Sequence, residues 1–116
     1  MNVYINKEKT FQTFEGFGAS GAWWAQEVGG WEHKDSESNL AVRDRISQLL
    51  YSKTEGIGLR TYRYNIGGGS KQSGNGKIDN PLRRIDPFET ADGRYDFDRD
   101  KNAVYMMEQA VMDGAD

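Results

Sequence analysis

Gly56-Ile57-Gly58-Leu59-Arg60-Thr61-Tyr62-Arg63-Tyr64-Asn65-Ile66-Gly67-Gly68-Gly69-Ser70 is the stretch on which the fold turns. β-Branched and aromatic side chains crowd its middle and a glycine run closes it, which predicts a strand whose far end opens into a loop. Just upstream, residues 40–53 carry Val42, Ile46, Leu49 and Leu50 at i, i+4, i+7 and i+8. That is one apolar helical stripe, with Ser38 or Asn39 as its cap and Gly56 as its terminator. Downstream, residues 67–97 are polar and aperiodic, broken by Gly74, Gly76, Pro81, Pro87 and Gly93. Loops of that length inside compact domains usually carry function or lack order. Residues 98–113 then return to helical spacing, with Val104, Met107 and Val111 on one face and Ala103 and Ala110 beside them. Asp98 or Asp100 stands at the start of this helix and Gly114 at its end.

The amino-terminal side completes the pattern. Val3-Tyr4-Ile5 and Thr10-Phe11-Gln12-Thr13-Phe14 flank the polar Asn6-Lys7-Glu8-Lys9, which predicts a β-hairpin over residues 1–14. Gly16, Gly18 and Gly21 follow, and then Trp23 and Trp24. Helix and strand alternate, so the class is α/β. The exits of the two helices, Thr54-Glu55-Gly56-Ile57 and Asp113-Gly114-Ala115-Asp116, resemble each other, and the first leads into a strand. By analogy a further strand is expected after the second. A parallel sheet of two strands is not viable alone. Residues 15–116 therefore read as two βα units of a larger α/β protein rather than as an unusual small fold.

Composition narrows the chemistry. The 116 residues include no cysteine and one histidine, His33, so thiol chemistry, a disulfide framework and a zinc site built on Cys or clustered His are all excluded. No metal or cofactor is implied. No apolar run approaches the roughly 20 residues of a membrane span, and the first residues lack the pattern of a signal peptide. The expectation is a soluble, cytoplasmic protein. The net charge of −3 gives no general attraction to nucleic acid or anionic lipid. Lys71, Lys77, Arg83 and Arg84 are diluted by Asp79, Asp86, Glu89 and Asp92, so no nucleic-acid patch forms in the long loop.

Gly16-Phe17-Gly18-Ala19-Ser20-Gly21 matches the spacing of a dinucleotide-binding turn. That motif needs a helix opening at its third glycine and an acidic residue ending the next strand. Here residues 22–28 hold at most two turns before Gly29-Gly30, and Asp35 and Glu37 lie in a polar linker. The second glycine-rich stretch lacks the glycine that a Walker loop requires. Trp23 and Trp24 are either core or a platform for a flat ligand, and adjacent indoles cannot easily enter one core, so at least one should be partly exposed. If Leu59 and Thr61 face one side of their strand, period two puts Arg63 and Asn65 on that side as well. An arginine there needs a buried anion or a ligand in a central strand, and needs neither on an exposed edge. Asn65 and Ser70 are hydrogen-bonding candidates for a polar ligand or ordinary turn residues. His33, beside Glu32 and Asp35, reads as a solvated loop residue.

In combination, residues 14–26, residues 56–70 and Tyr95-Asp96-Phe97 resemble the opening of a glycoside hydrolase family 30 enzyme, with the endo-β-1,6-galactanase-like subgroup as the best match. The resemblance implies the amino-terminal portion of a (β/α)8 TIM barrel, with residues 1–14 joining a β-sandwich at its side. It implies a carbohydrate partner, a β-linked galactan or related glycan. Trp23 and Trp24 would line the sugar cleft with Asn65 and Ser70, and Arg63 would take the place of the arginine that orients and supports the nucleophilic carboxylate. Glucosylceramidase-type members have an aspartate where this sequence has Ser70, which favours the galactanase-like branch. Retaining hydrolysis needs two carboxyl groups about 5–5.5 Å apart. In the family these are glutamates after the fourth and seventh barrel strands, and none of Glu15, Glu27, Glu32, Glu37, Glu55, Glu89 or Glu108 occupies either place. The 116 residues alone are expected to be inactive. The alternatives are a non-catalytic carbohydrate-binding module built on the tryptophans and a nucleotide-binding domain using residues 16–21.

Overall fold

The computed structural model describes residues 1–68, 80, 83 and 85–116. Two short strands, β1 (Gly18–Ser20) and β2 (Thr61–Arg63), pair in parallel with Gly18 opposite Thr61, Ala19 opposite Tyr62 and Ser20 opposite Arg63. Between them run α1 (Trp24–Val28) and α2 (Val42–Tyr51), and after β2 a 3-10 turn at Phe97–Asp100 leads into α3 (Lys101–Asp113). The helix expected over residues 98–113 is thus present, and so is the one expected over residues 40–53. The strand is shorter than residues 57–66.

The helix ends show how local chemistry selects boundaries. Ser38 and Asn39 do not cap α2. Asp35 instead accepts from the Ser38 backbone N–H at 2.8 Å and from its hydroxyl at 2.7 Å, closing a turn, and the position before α2 is an extended Ala41 with no side-chain cap. α2 stops at Ser52, and its carboxyl-terminal carbonyls are met by Ile57 N–H on Leu49 O (2.9 Å) and Leu59 N–H on Leu50 O (2.8 Å). These two bonds swing the chain back towards β2. Asp96, rather than Asp98 or Asp100, caps the turn before α3 by accepting from the Asp98 N–H at 3.1 Å. Gly114, at φ +125°, closes α3 as expected.

The α3 stripe is rotated from its expected face, whereas in α2 Ile46 and Leu50 of the expected stripe pack on the core and Leu49 does not. In α3 the buried residues are Ala103, Met106 and Ala110, whereas Val111 is 57% exposed. In α2 Ser47 and Tyr51 are the buried pair and Leu49 is exposed. Small side chains let helix backbones approach closely, so alanines and a serine occupy the contact line and the branched residues stand beside it. α3 packs on both α1 and α2. One core cluster joins Ala25, Val28, Ala103 and Met106 with Trp24, Ile46, Tyr64 and Tyr105 around it; the other joins Tyr51, Ala110 and Ala115 with Leu50, Leu59 and Tyr62.

Residues 1–17 depart from the expected hairpin. The turn exists, with Lys9 N–H on Asn6 O at 3.3 Å, but no strand flanks it and every residue of the segment is exposed. A lone two-stranded hairpin is marginal in water, and among the described residues none offers this one an apolar face to lie on. The two edges of the sheet repeat one contact. Arg60 N–H bonds Phe17 O at 2.7 Å just before β2, and Asp116 N–H bonds Arg60 O at 2.6 Å, so the backbone after α3 arrives beside β2 as β2 arrives beside β1.

Candidate functional site

Strand alternation places the site. Tyr62 and Tyr64 turn towards the helices and pack on their two clusters, while Thr61 and Arg63 are exposed on the opposite face. Leu59 does not share that face; it packs with Tyr51 and Ala110, two residues before β2 begins at Thr61, so strand alternation does not reach it. Arg63 is the last residue of β2, Ser20 the last of β1, and the register sets them side by side. The Arg63 guanidinium donates to the Ser20 hydroxyl at 3.3 Å, and the Gly21 N–H donates to the Arg63 carbonyl at 3.0 Å. Arg63 is exposed, and among the described residues no carboxylate pairs with it.

The two tryptophans divide as their adjacency requires. Trp24 packs on the core and donates its indole N–H to Ser20 O at 2.7 Å. Trp23 is 45% exposed, and the Arg83 guanidinium lies over its ring at 5.2 Å from the centroid, a cation–π contact. Asn65 is half-buried two residues beyond β2. Ser70 lies outside the described residues. Trp23, Ser20, Arg63 and Asn65 therefore gather at the carboxyl ends of the two strands. Ser20 was not singled out from the sequence, since only the parallel register brings residue 20 to residue 63.

A second set of contacts fixes the end of β2. The Tyr64 hydroxyl donates to the Asp100 carboxylate at 2.6 Å, and Asp100 is 4% exposed. Burial, followed by this hydrogen bond and the Asp100 charge, pushes the Tyr64 phenol well above its usual range; burial does the same to Tyr62. These groups stay protonated and neutral, and their work is positional. The Tyr64 ring also stacks on Phe88, 6.1 Å between centroids with planes 6° apart.

The glycine motif has a packing reason here. A Cβ at Gly21 would collide with the Tyr62 hydroxyl, and one at Gly29 with the Asn102 carbonyl of α3, so these positions admit no side chain because neighbouring elements touch the backbone. The helix after the motif has only the five residues Trp24–Val28, too short to serve a dinucleotide. His33 is exposed. No group of three or more His, Asp or Glu that could hold a metal occurs among the described residues, and no described helix is long and apolar enough to cross a membrane.

Comparison with known proteins bears on this geometry. The family model for O-glycosyl hydrolase family 30 matches residues 1–116. Among solved structures, a conserved exported protein from Bacteroides fragilis superposes with a TM-score of 0.74 at 28% identity over 94% of this chain. The chain spans only 23% of that protein's length. No curated protein matches.

Proposed function

The chain belongs to O-glycosyl hydrolase family 30, and from that premise we propose that it supplies the first two βα units of a (β/α)8 barrel that hydrolyses β-linked glycans with retention. The observation that carries the proposal is the clustering of Trp23, Ser20, Arg63 and Asn65 at the carboxyl ends of two parallel strands whose helices cover one face only. Barrel enzymes build their active sites at that end, and the face left uncovered by helices is the one that would turn to the barrel interior, which side chains of the strands fill. The Asp116–Arg60 backbone bond, in the position of the Arg60–Phe17 bond, suits a third strand beside β2.

In this reading the two glutamates of the reaction lie on later strands. One protonates the leaving oxygen, and the other attacks the anomeric carbon to form a covalent glycosyl intermediate that water then releases. Arg63 is a positioning residue. Its guanidinium, held at the strand end by the Ser20 hydroxyl, would orient the nucleophilic carboxylate and keep it ionised. Trp23 offers an indole face to a sugar ring. Ser70 in place of an aspartate favours a galactan over a glucosylceramide.

The test is hydrolysis of β-1,6-galactan and of aryl β-glycosides by the full open reading frame, with the anomer formed first read by proton NMR. Retention is expected, and inversion or the absence of turnover on every β-glycan overturns the reading. Arg63→Lys should lower kcat about 100-fold or more, because a point charge does not reproduce a forked guanidinium. Retained binding without hydrolysis would favour a carbohydrate-binding module.

A further inference from the structure

Residues 88–97, between β2 and α3, fold on themselves. Asp96 N–H bonds Phe88 O at 2.8 Å, Thr90 N–H bonds Arg94 O at 2.8 Å, Gly93 N–H bonds Thr90 O at 2.9 Å, and Glu89 bridges Tyr95 in antiparallel fashion. Arg99, in the 3-10 turn before α3, ties this small hairpin to that turn by donating to Glu89 O at 3.0 Å. Its base is fixed to the end of β2 by the Tyr64–Phe88 stack, so it stands at the same end of the sheet as Arg63. On it, the Tyr95 and Phe97 rings lie nearly parallel, 17° apart with centroids 6.3 Å from each other, and both are about two-thirds exposed. Next to them a cavity of about 270 Å³ is lined by Thr90, Arg94, Tyr95 and Asp96.

Exposed rings alone would decide nothing, because Phe11, Phe14 and Phe17 are as exposed. The combination is different: flat apolar faces beside a polar cavity just below the ordinary size range of small-molecule pockets, on a loop held by its own hydrogen bonds. We propose that the 88–97 hairpin is a sugar-binding subsite in which Tyr95 and Phe97 stack against a neutral hexose unit while Arg94 and Asp96 bond its hydroxyls. The class of ligand follows from charge. Arg94 is already paired with Asp92, Nε to Oδ2 at 2.7 Å, and Asp96 adds a further carboxylate, so a uronate would meet net repulsion whereas neutral hydroxyls find both donors and acceptors. The inference rests on the glycosidase reading for its ligand and adds a remote subsite that would engage a polymer and leave a short substrate untouched.

Binding and turnover are read separately on the full open reading frame. Affinity electrophoresis in gels containing β-1,6-galactan, another neutral β-glycan or polygalacturonate is compared for the wild type, Tyr95→Ala, Tyr95→Leu and Arg94→Ala, with thermal melts to show that each variant is folded. Retardation by a neutral glycan is expected to weaken about 5- to 10-fold in the Tyr95 variants, a loss typical of one aromatic contact. Tyr95→Leu keeps apolar bulk and loses only the flat face. KM for the polymer should rise by a similar factor with kcat unchanged, while an aryl glycoside is hydrolysed as before. Equal effects on polymer and aryl glycoside, no effect on either, or binding of polygalacturonate that depends on Arg94 would overturn the subsite. Failure of all hydrolysis with Tyr95-dependent binding intact would overturn the glycosidase reading and leave the subsite standing.

Discussion

Arg63 and Tyr64 are neighbours in sequence and point to opposite faces of β2, and that opposition separates chemistry from support. Arg63 faces the open side with the Ser20 hydroxyl as its partner. Tyr64 faces the helices and anchors the strand end to Asp100. Tyr64→Phe removes a donor from a buried carboxylate and should cost about 1–3 kcal/mol, measurable as a lower denaturant midpoint of the full open reading frame; an unchanged midpoint would show the bond to be dispensable. The raised phenols of Tyr62 and Tyr64 also fix a pH dependence. Below about pH 10, the ordinary tyrosine value, folded and unfolded chains hold these protons alike and the contribution to stability is complete. Above it the unfolded chain releases them while the folded chain resists, so stability should fall as pH rises past 10. Near-UV circular dichroism should be lost together with the appearance of tyrosinate absorbance from these residues, and tyrosinate appearing in a folded chain would contradict the assignment.

At the scale of elements, the positions of helices were legible and their inward faces only in part: Ile46 and Leu50 of α2 pack inward as expected, whereas the α3 stripe turns outward at Val111. Hydrophobic spacing located α2 and α3 because their polar sides interrupt an apolar stripe at 3.6-residue intervals. It misplaced the stripe because Ala103, Ser47 and Ala110 carry little hydrophobicity yet fill the contact line where helices approach. Met106→Ala should therefore cost about 2–5 kcal/mol, since Met106 is fully buried, whereas Val111→Ser, at an exposed position, should stay within about 0.5 kcal/mol. Reversal of that order in denaturant titrations of the full open reading frame would restore the face read from the sequence. The hairpin expected over residues 1–14 failed for a different reason. Its alternation is real, but alternation specifies which residues would face a partner and supplies no partner.

For the whole molecule, surface is the governing quantity. The chain exposes 8716 Å², against roughly 6,400 Å² for a compact monomer of its mass, and its radius of gyration is 18.4 Å where about 13 Å is usual for this length. Val3, Tyr4, Ile5, Phe11, Phe14 and Phe17 stand exposed in succession, and large apolar patches of this kind invite association. The isolated 116 residues should bind an apolar dye and melt without a cooperative transition; a sharp monomeric transition would show that the two small clusters suffice. Composition excluded thiol and clustered-histidine chemistry, local patterning located two helices and a strand, and the motifs around Gly16 and Arg63 pointed to the family, because each of these resides in residue identity and short spacing. Ser20 beside Arg63, which of the two tryptophans enters the core, and the alanine contact line were settled by tertiary structure alone. Parallel register and helix approach join residues some forty or more positions apart, and no local pattern encodes which of them will meet.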